Sequence, residues 1–155
     1  MDGVRAVGIT SRTLSKAKKL ANTSQIEQVY DTVDHLLKGC TPDGIMVLVS
    51  ANQIYDVAVN LIPAGIPLFL EKPPGLSPEE TRVLADSAEL HDIANMVGFN
   101  RRYYSVFHKG MEVIKRQGAL LGVVIEGHER FWKIKDSVSQ IMREHWVYAN
   151  STHTI

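Results

Sequence analysis

The chain has 155 residues, 45% of them hydrophobic, with Lys plus Arg equal to Asp plus Glu at 17 each. That length fits one domain, or one domain with part of another, and the apolar fraction allows a real core. The charge balance argues against a nucleic-acid or anionic-membrane partner. No apolar run is long enough to span a bilayer, and no signal-peptide core follows the first residues. Cys40 is the only cysteine, so no internal disulfide forms and a cytoplasmic location is the default expectation.

Taken in chain order, the pattern alternates strand and helix. Val4 to Ile9 is rich in β-branched residues and predicts a strand. Thr13 is placed to cap a helix from about Leu14 to Ala21. Gln28 to Tyr30 predicts a short strand, and Asp31 caps a helix ended by Gly39. Ile45 to Val49 is continuously apolar, the pattern of a parallel strand buried on both faces. Ser50 and Gln53 are spaced as a capping box for the next helix, whose buried side carries Val57, Ala58 and Leu61. Pro67 to Leu70 is a further apolar strand. Ser77-Pro78-Glu79-Glu80 is the clearest helix start: an N-cap Ser, Pro in the first helical position, and Glu three residues after the cap. Met96 to Phe99 predicts another strand. Tyr103, Phe107, Met111 and Ile114 lie on one helical face closed by Gly118. Leu121 to Phe131 reads as a longer strand, and Lys133 to Tyr148 is charged and irregular.

Strands recurring with helices between them imply βαβ units and a parallel sheet. A boundary is expected near Gly118, giving a dinucleotide-binding domain over residues 1–118 and the start of a second domain over 119–155. Such sheets bind ligands beyond the carboxyl ends of their strands. The residues there are Ser11 and Arg12, Ser50 and Asn52, Glu71 and Lys72, and Asn100 and Arg101. These tips are polar or charged while the strands are apolar, the layout of a site.

The phosphate-binding pattern G-x-G-x-x-G is absent, and no two of the 11 glycines stand two residues apart. The chain begins where the second strand of a dinucleotide fold would begin, so the expected fold is a Rossmann-like α/β sheet lacking its first βα unit. At the tip of that strand an acid would grip the ribose diol of NAD, but this sequence has Ser11-Arg12-Thr13. A hydroxyl and a guanidinium suit a 2′-phosphate and favour NADP over NAD. The same residues also read as a helix cap and a solvated charge, and both readings stay open. The histidines at 35, 91, 108, 128 and 145 show no metal-ligand spacing, and no metal is expected.

Glu71-Lys72-Pro73, after a short apolar strand, resembles the E-K-P motif of the glucose–fructose oxidoreductase/inositol dehydrogenase/MocA (Gfo/Idh/MocA) family. Gly98-Phe99-Asn100-Arg101-Arg102-Tyr103, one helix and one strand later, is similar to its G-F-N-R-R-F segment. Ser50-Ala51-Asn52 stands where the family often has T-P-N. Asn150-Ser151-Thr152-His153-Thr154-Ile155 is similar to the start of its catalytic-histidine segment. The resemblance implies NAD(P)-dependent hydride transfer to or from a hydroxyl-bearing carbon of a sugar, cyclitol or related small molecule. It assigns Lys72 to the space between nicotinamide ribose and substrate hydroxyl, and His153 to the hydroxyl proton. A lysine ammonium stabilises charge on that oxygen, and a histidine titrates near neutrality. Relatives often carry a cis bond after the motif lysine. Many also have Asp four residues before the histidine, where this chain has Ala149, with Asn150 beside it.

By the same resemblance, residues 119–155 open an α+β substrate domain, most of which lies beyond Ile155. In the family its sheet often forms the oligomer interface, leaving a homo-oligomer open to a complete chain. The rival reading is a truncated or degenerate Rossmann-like domain that binds a ligand or partner without turnover.

Overall fold

A computed structural model describes residues 3–128, 130–134 and 136–151. The chain divides into two compact units, Met1–Asp43 and Gly44–Ile155.

In the first unit, β1 (Gly8–Thr10) pairs in parallel with β2 (Gln28–Tyr30), Ile9 opposite Val29. Helix α1 (Leu14–Ser24) makes the crossover and buries Ala17 and Ala21. Strand β1 is shorter than the expected Val4 to Ile9. Residues 4–6 are exposed and lie outside the β1–β2 ladder. Helix α2 (Val33–Gly39) is capped by Thr32, not Asp31: the Thr32 hydroxyl accepts the His35 amide at 3.1 Å. That leaves the Asp31 carboxylate to bond His35 Nδ1 at 2.6 Å. Tyr30 packs against this unit's glycines, where a Cβ on Gly39 would lie 2.3 Å from its ring. Its hydroxyl bonds the Gln28 side chain, and burial, then Cys40, raises its pKa.

In the second unit, β3 (Ile45–Val47), β4 (Leu68–Leu70) and β5 (Asn95–Val97) form a parallel sheet in that order. The crossovers are α3 (Ala51–Leu61), followed by a 3₁₀ turn at Ile62–Ala64, and α4 (Pro78–Leu90). The core combines Val47, Leu68 and Leu70 of the sheet with Ile54, Ala58 and Leu61 of α3 and Leu84 and Ala88 of α4. These residues fall at the strand and helix periodicities of one buried face each. The opposite sheet face carries the cross-strand row Met46, Phe69 and Met96. Met46 is 60% exposed and Met96 51%. The expectation that β3 is buried on both faces therefore fails for the described residues, since α3 and α4 supply apolar side chains to one face only.

The start at Ser77 forms as its residues dictate. The Ser77 hydroxyl accepts the Glu80 amide at 3.2 Å, and Pro78 takes the first turn. The reciprocal bond goes one residue further back, from the Leu76 amide to Glu80 Oε2 at 2.6 Å. The capping box expected at Ser50 does not form. The Gln53 amide donates to the Ser50 carbonyl at 2.8 Å, which removes the donor that the hydroxyl would have taken.

Helix α5 (Ser105–Gln117) ends at Gly118, whose φ of 123° suits glycine. Its apolar positions Phe107, Met111 and Ile114 are solvent-exposed among the described residues. The described residues of the expected strand Leu121 to Phe131 form no strand. Residues 118–128 and 130 have no regular structure, and Phe131 begins the short helix α6 (Phe131–Ile134). Leu121 is 97% and Val124 89% exposed. An extended segment needs a neighbour to pair its amides and carbonyls, and no described strand lies beside this one. The last described helices are α7 (Gln140–Glu144) and α8 (Trp146–Ala149). No helix among the described residues is long and apolar enough to cross a membrane.

Candidate active site at the carboxyl edge of the second sheet

Because β3, β4 and β5 run in parallel, their carboxyl ends share one edge. Two backbone bonds zip that edge together beyond the strands proper. The Glu71 amide donates to the Val47 carbonyl at 3.0 Å, and the Gly98 amide to the Leu70 carbonyl at 2.8 Å. Glu71, Lys72 and Pro73 therefore leave the central strand from a fixed point.

The Lys72–Pro73 peptide is cis, and Pro73 is fully buried. Its buried ring and fixed φ restrict the backbone that carries Lys72. Gly75 and Leu76, both buried, lead into the Ser77 cap. Gly75 has no space for a side chain, since a Cβ there would lie 2.6 Å from Glu80 Cβ and 3.0 Å from the Thr81 amide nitrogen. The loop carrying Lys72 is thus fastened to β4 at one end and to α4 at the other.

Lys72 is half-buried and reaches across 77 residues of sequence to the end of α8. Its ammonium donates to the Ala149 carbonyl at 2.7 Å and to Asn150 Oδ1 at 3.3 Å. The Ala149 carbonyl belongs to a helix C-terminus, where carbonyls lack intrahelical donors. Nothing in the sequence points to the bonding between Lys72 and these two oxygens, which lie where relatives often carry an acid.

Glu71 is also half-buried. A Cβ built on Gly98 would stand 3.4 Å from Glu71 Oε2, 3.4 Å from the Leu70 carbonyl and 3.2 Å from the Phe69 ring. The bare glycine lets the end of β5 approach this carboxylate closely. Asn100 and Arg101 follow on a 3₁₀ turn, Asn100–Tyr103, with exposed side chains. Ser50 and Asn52, after β3, are exposed at the same edge.

So Ser50, Asn52, Glu71, Lys72, Asn100 and Arg101 share one sheet edge, as the strand-tip argument requires. Ser11 and Arg12 stand at the carboxyl end of β1, in the other compact unit. Ser11 Oγ accepts the Thr13 amide at 3.3 Å, and Arg12 is exposed. His153 lies outside the described residues. Among those residues, no group of three His, Cys, Asp or Glu side chains could hold a metal ion.

Residues 1–99 match the Gfo/Idh/MocA profile, described as an oxidoreductase family with an NAD-binding Rossmann fold. The rhizopine catabolism protein MocA of Rhizobium meliloti is 29% identical over 76 residues, 49% of this chain and 24% of that protein. The myo-inositol dehydrogenase Hyg17 of Streptomyces leeuwenhoekii is 30% identical over 90 residues, 57% of this chain and 27% of that protein. The crystal structure of GenD2 from gentamicin A biosynthesis, in complex with NAD, superposes with a TM-score of 0.68 at 27% identity. That match covers 77% of this chain and 34% of GenD2. The chain thus spans about a quarter of the length of these curated relatives. With the profile covering 99 of 155 residues and a parallel α/β architecture behind it, the chain belongs to the Gfo/Idh/MocA oxidoreductase family, whose NAD-binding domain has the Rossmann fold.

Proposed function

We propose that this chain supplies the nicotinamide side of an NAD(P)-dependent oxidoreductase acting on a hydroxyl or carbonyl of a sugar, cyclitol or related small molecule. The observation that carries the reading is Lys72, half-buried and held by two oxygens at the carboxyl edge of a parallel sheet. The donor set at this edge fits a nicotinamide riboside: an ammonium at Lys72, amides at Asn52 and Asn100, a guanidinium at Arg101 and a hydroxyl at Ser50. The pyrophosphate is another matter, since no glycine turn occurs in the 155 residues.

Lys72, Asn52, Asn100 and Arg101 would hold a nicotinamide riboside at this edge, and that group would supply the hydride chemistry. Oxidation of a CH–OH group then requires its hydroxyl proton to leave as the hydride does. Lys72 is the residue to steady negative charge on that oxygen. His153 is the family-implied proton acceptor. Ser11 and Arg12 would favour NADP over NAD through the 2′-phosphate. Residues 119–155 would open the substrate domain of a cytoplasmic enzyme whose partner is a small sugar-like substrate, with a homo-oligomer open to a complete chain. The rival reading is a domain that binds a ligand or partner without turnover.

The test joins this chain to the first strand and glycine turn of a relative and assays sugars and cyclitols with both cofactors. Lys72→Ala is expected to lower kcat by roughly a hundredfold, the scale of a positioned electrostatic group. Lys72→Arg should recover little of this, because its planar head cannot occupy the same point. Near-native turnover in Lys72→Ala would remove Lys72 from the chemistry.

A further inference from the structure

We infer that Glu80 is a positioning residue for Lys72: its carboxylate, bonded to the Leu76 amide, holds the loop from which the lysine reaches out. The purpose of that hold rests on the oxidoreductase reading, while its geometry does not.

Glu80 lies in the first turn of α4, on the far side of the Ser77 cap from Lys72. In a regular capping box a carboxylate in its place accepts the amide of the cap residue itself. Here Oε2 passes over Ser77 and takes the Leu76 amide, outside the helix, at 2.6 Å. The detour needs Gly75, because a Cβ there would stand 2.6 Å from Glu80 Cβ. Leu76 is buried, so losing this acceptor leaves its amide short of a partner.

The Glu71 amide on the Val47 carbonyl anchors the loop to the sheet, and the Leu76 amide on Glu80 anchors it to α4. Between these anchors stand Lys72, Pro73, Pro74 and Gly75, and the two prolines have no amide hydrogen to give. Helix α4 is itself fixed on the sheet through the buried Leu84 and Ala88. The backbone under Lys72 is therefore set from two sides, by β3 and by the far end of a carboxylate. A lysine head rides on four flexible carbons, so its reach to the Ala149 carbonyl at 2.7 Å depends on where its Cα stands. A base free to drift by about 1 Å carries the ammonium with it, the scale at which misplacement costs about a hundredfold in rate.

The test reads Lys72 directly in the 155-residue chain, at a temperature where tryptophan fluorescence shows every variant folded. Competitive acylation followed by mass spectrometry of the Lys72 peptide compares wild type, Glu80→Ala, Glu80→Gln and Leu84→Ala. Lys16 and Lys38, both exposed, are internal references. In the wild type a half-buried, hydrogen-bonded ammonium should react about tenfold more slowly than these. Glu80→Ala should speed Lys72 by about fivefold, the scale of one net hydrogen bond. Glu80→Gln keeps an acceptor for the Leu76 amide and should stay within about twofold of wild type. Leu84→Ala opens the core under α4 without touching the loop bond, and should leave the Lys72 rate unchanged despite its lower stability. A purely structural Glu80 would move Lys72 no more than Leu84→Ala does. The inference is overturned by a wild-type Lys72 as fast as the references, by equal rates in wild type and Glu80→Ala, by equal acceleration in Leu84→Ala, or by no rescue in Glu80→Gln.

In the chain joined to a glycine turn, Glu80→Ala should lower kcat by about tenfold and leave KM within about twofold, since a displaced ammonium is missed most in the transition state. Glu80→Gln should recover most of that loss. An unchanged kcat in Glu80→Ala overturns the positioning role. The expected labelling pattern in a protein that oxidises no sugar or cyclitol would sink the proposed function and leave the Glu80–Lys72 assignment standing.

Discussion

Glu80 ties the Lys72 loop to α4, and its replacement should weaken the second unit measurably. Its Oε2 accepts the amide of Leu76, a residue only 6% exposed, at 2.6 Å. Hydrogen bonds to charged acceptors contribute about 1.5–3 kcal/mol, and an amide left buried without an acceptor adds to the cost. Glu80→Ala is therefore expected to destabilise by about 2–3 kcal/mol. Glu80→Gln keeps an acceptor and drops the charge, so its loss should be about half as large. For a chain of this size each kcal/mol moves Tm by about 2–4 °C, giving a fall of about 5–10 °C for the alanine variant. Both tryptophans, Trp132 and Trp146, belong to the second unit, so their fluorescence during urea or thermal unfolding reports on the right part of the chain. A loss below about 0.5 kcal/mol for Glu80→Ala, the ordinary range for surface changes, would refute the tether.

Gly75→Ala should destabilise by about 1–3 kcal/mol, because its Cβ would meet Glu80 Cβ at 2.6 Å; an unchanged urea midpoint would show that the loop moves aside freely. The Glu79 carboxyl is held below its ordinary value of 4.5, first by its own backbone amide and then by the Ser77 hydroxyl. A depressed carboxyl stabilises the fold above the unfolded value, and the contribution is lost as pH falls through the lowered one. Ser77→Ala should therefore flatten the acid side of the stability–pH curve, and an unaltered curve between neutrality and pH 3 would contradict this. The 155-residue chain should bind NAD(P) weakly, since it offers no glycine turn to the pyrophosphate, and calorimetry giving a sub-micromolar Kd would contradict that. With the turn restored, Arg12→Ala should weaken NADP binding and spare NAD; equal losses would show that Arg12 does not read the 2′-phosphate.

What could be read from the sequence was local. Ser77-Pro78-Glu79-Glu80 carries its own instructions within four residues and folds as expected, apart from Glu80 reaching back to Leu76. β2 lies where expected, β3 and β4 are trimmed versions of their apolar runs, and β1 and β5 each overrun the expected bounds by one residue, at Thr10 and at Asn95. The motif at Glu71-Lys72-Pro73 follows the carboxyl end of β4, as its place after an apolar run implies. Legibility failed where a neighbour decides the outcome. Leu121 to Phe131 has the composition of a strand, but composition does not supply a partner. Ile45 to Val49 has the apolarity of a doubly covered strand, but nothing in its own residues says whether a second layer arrives. The Ser50 hydroxyl lost its donor to the Ser50 carbonyl, a choice that the two residue types do not decide. The bond from Lys72 to Asn150 spans 78 positions, and neither residue announces the other.

The first unit rests on a thin interior, and this bears on how the chain opens rather than on what it binds. Ala17 and Ala21 are its only buried apolar residues among those described, whereas the second unit buries leucines and isoleucines from both sheet and helices. A segment of about 40 residues seldom holds its structure unaided. Unfolding of the chain need not be one cooperative event, and a single free energy would then describe neither unit. Amide hydrogen exchange should reveal this as two tiers. The β1–β2 amides would exchange through low-energy local opening, and those of β3 to β5 only through events that unravel the larger core.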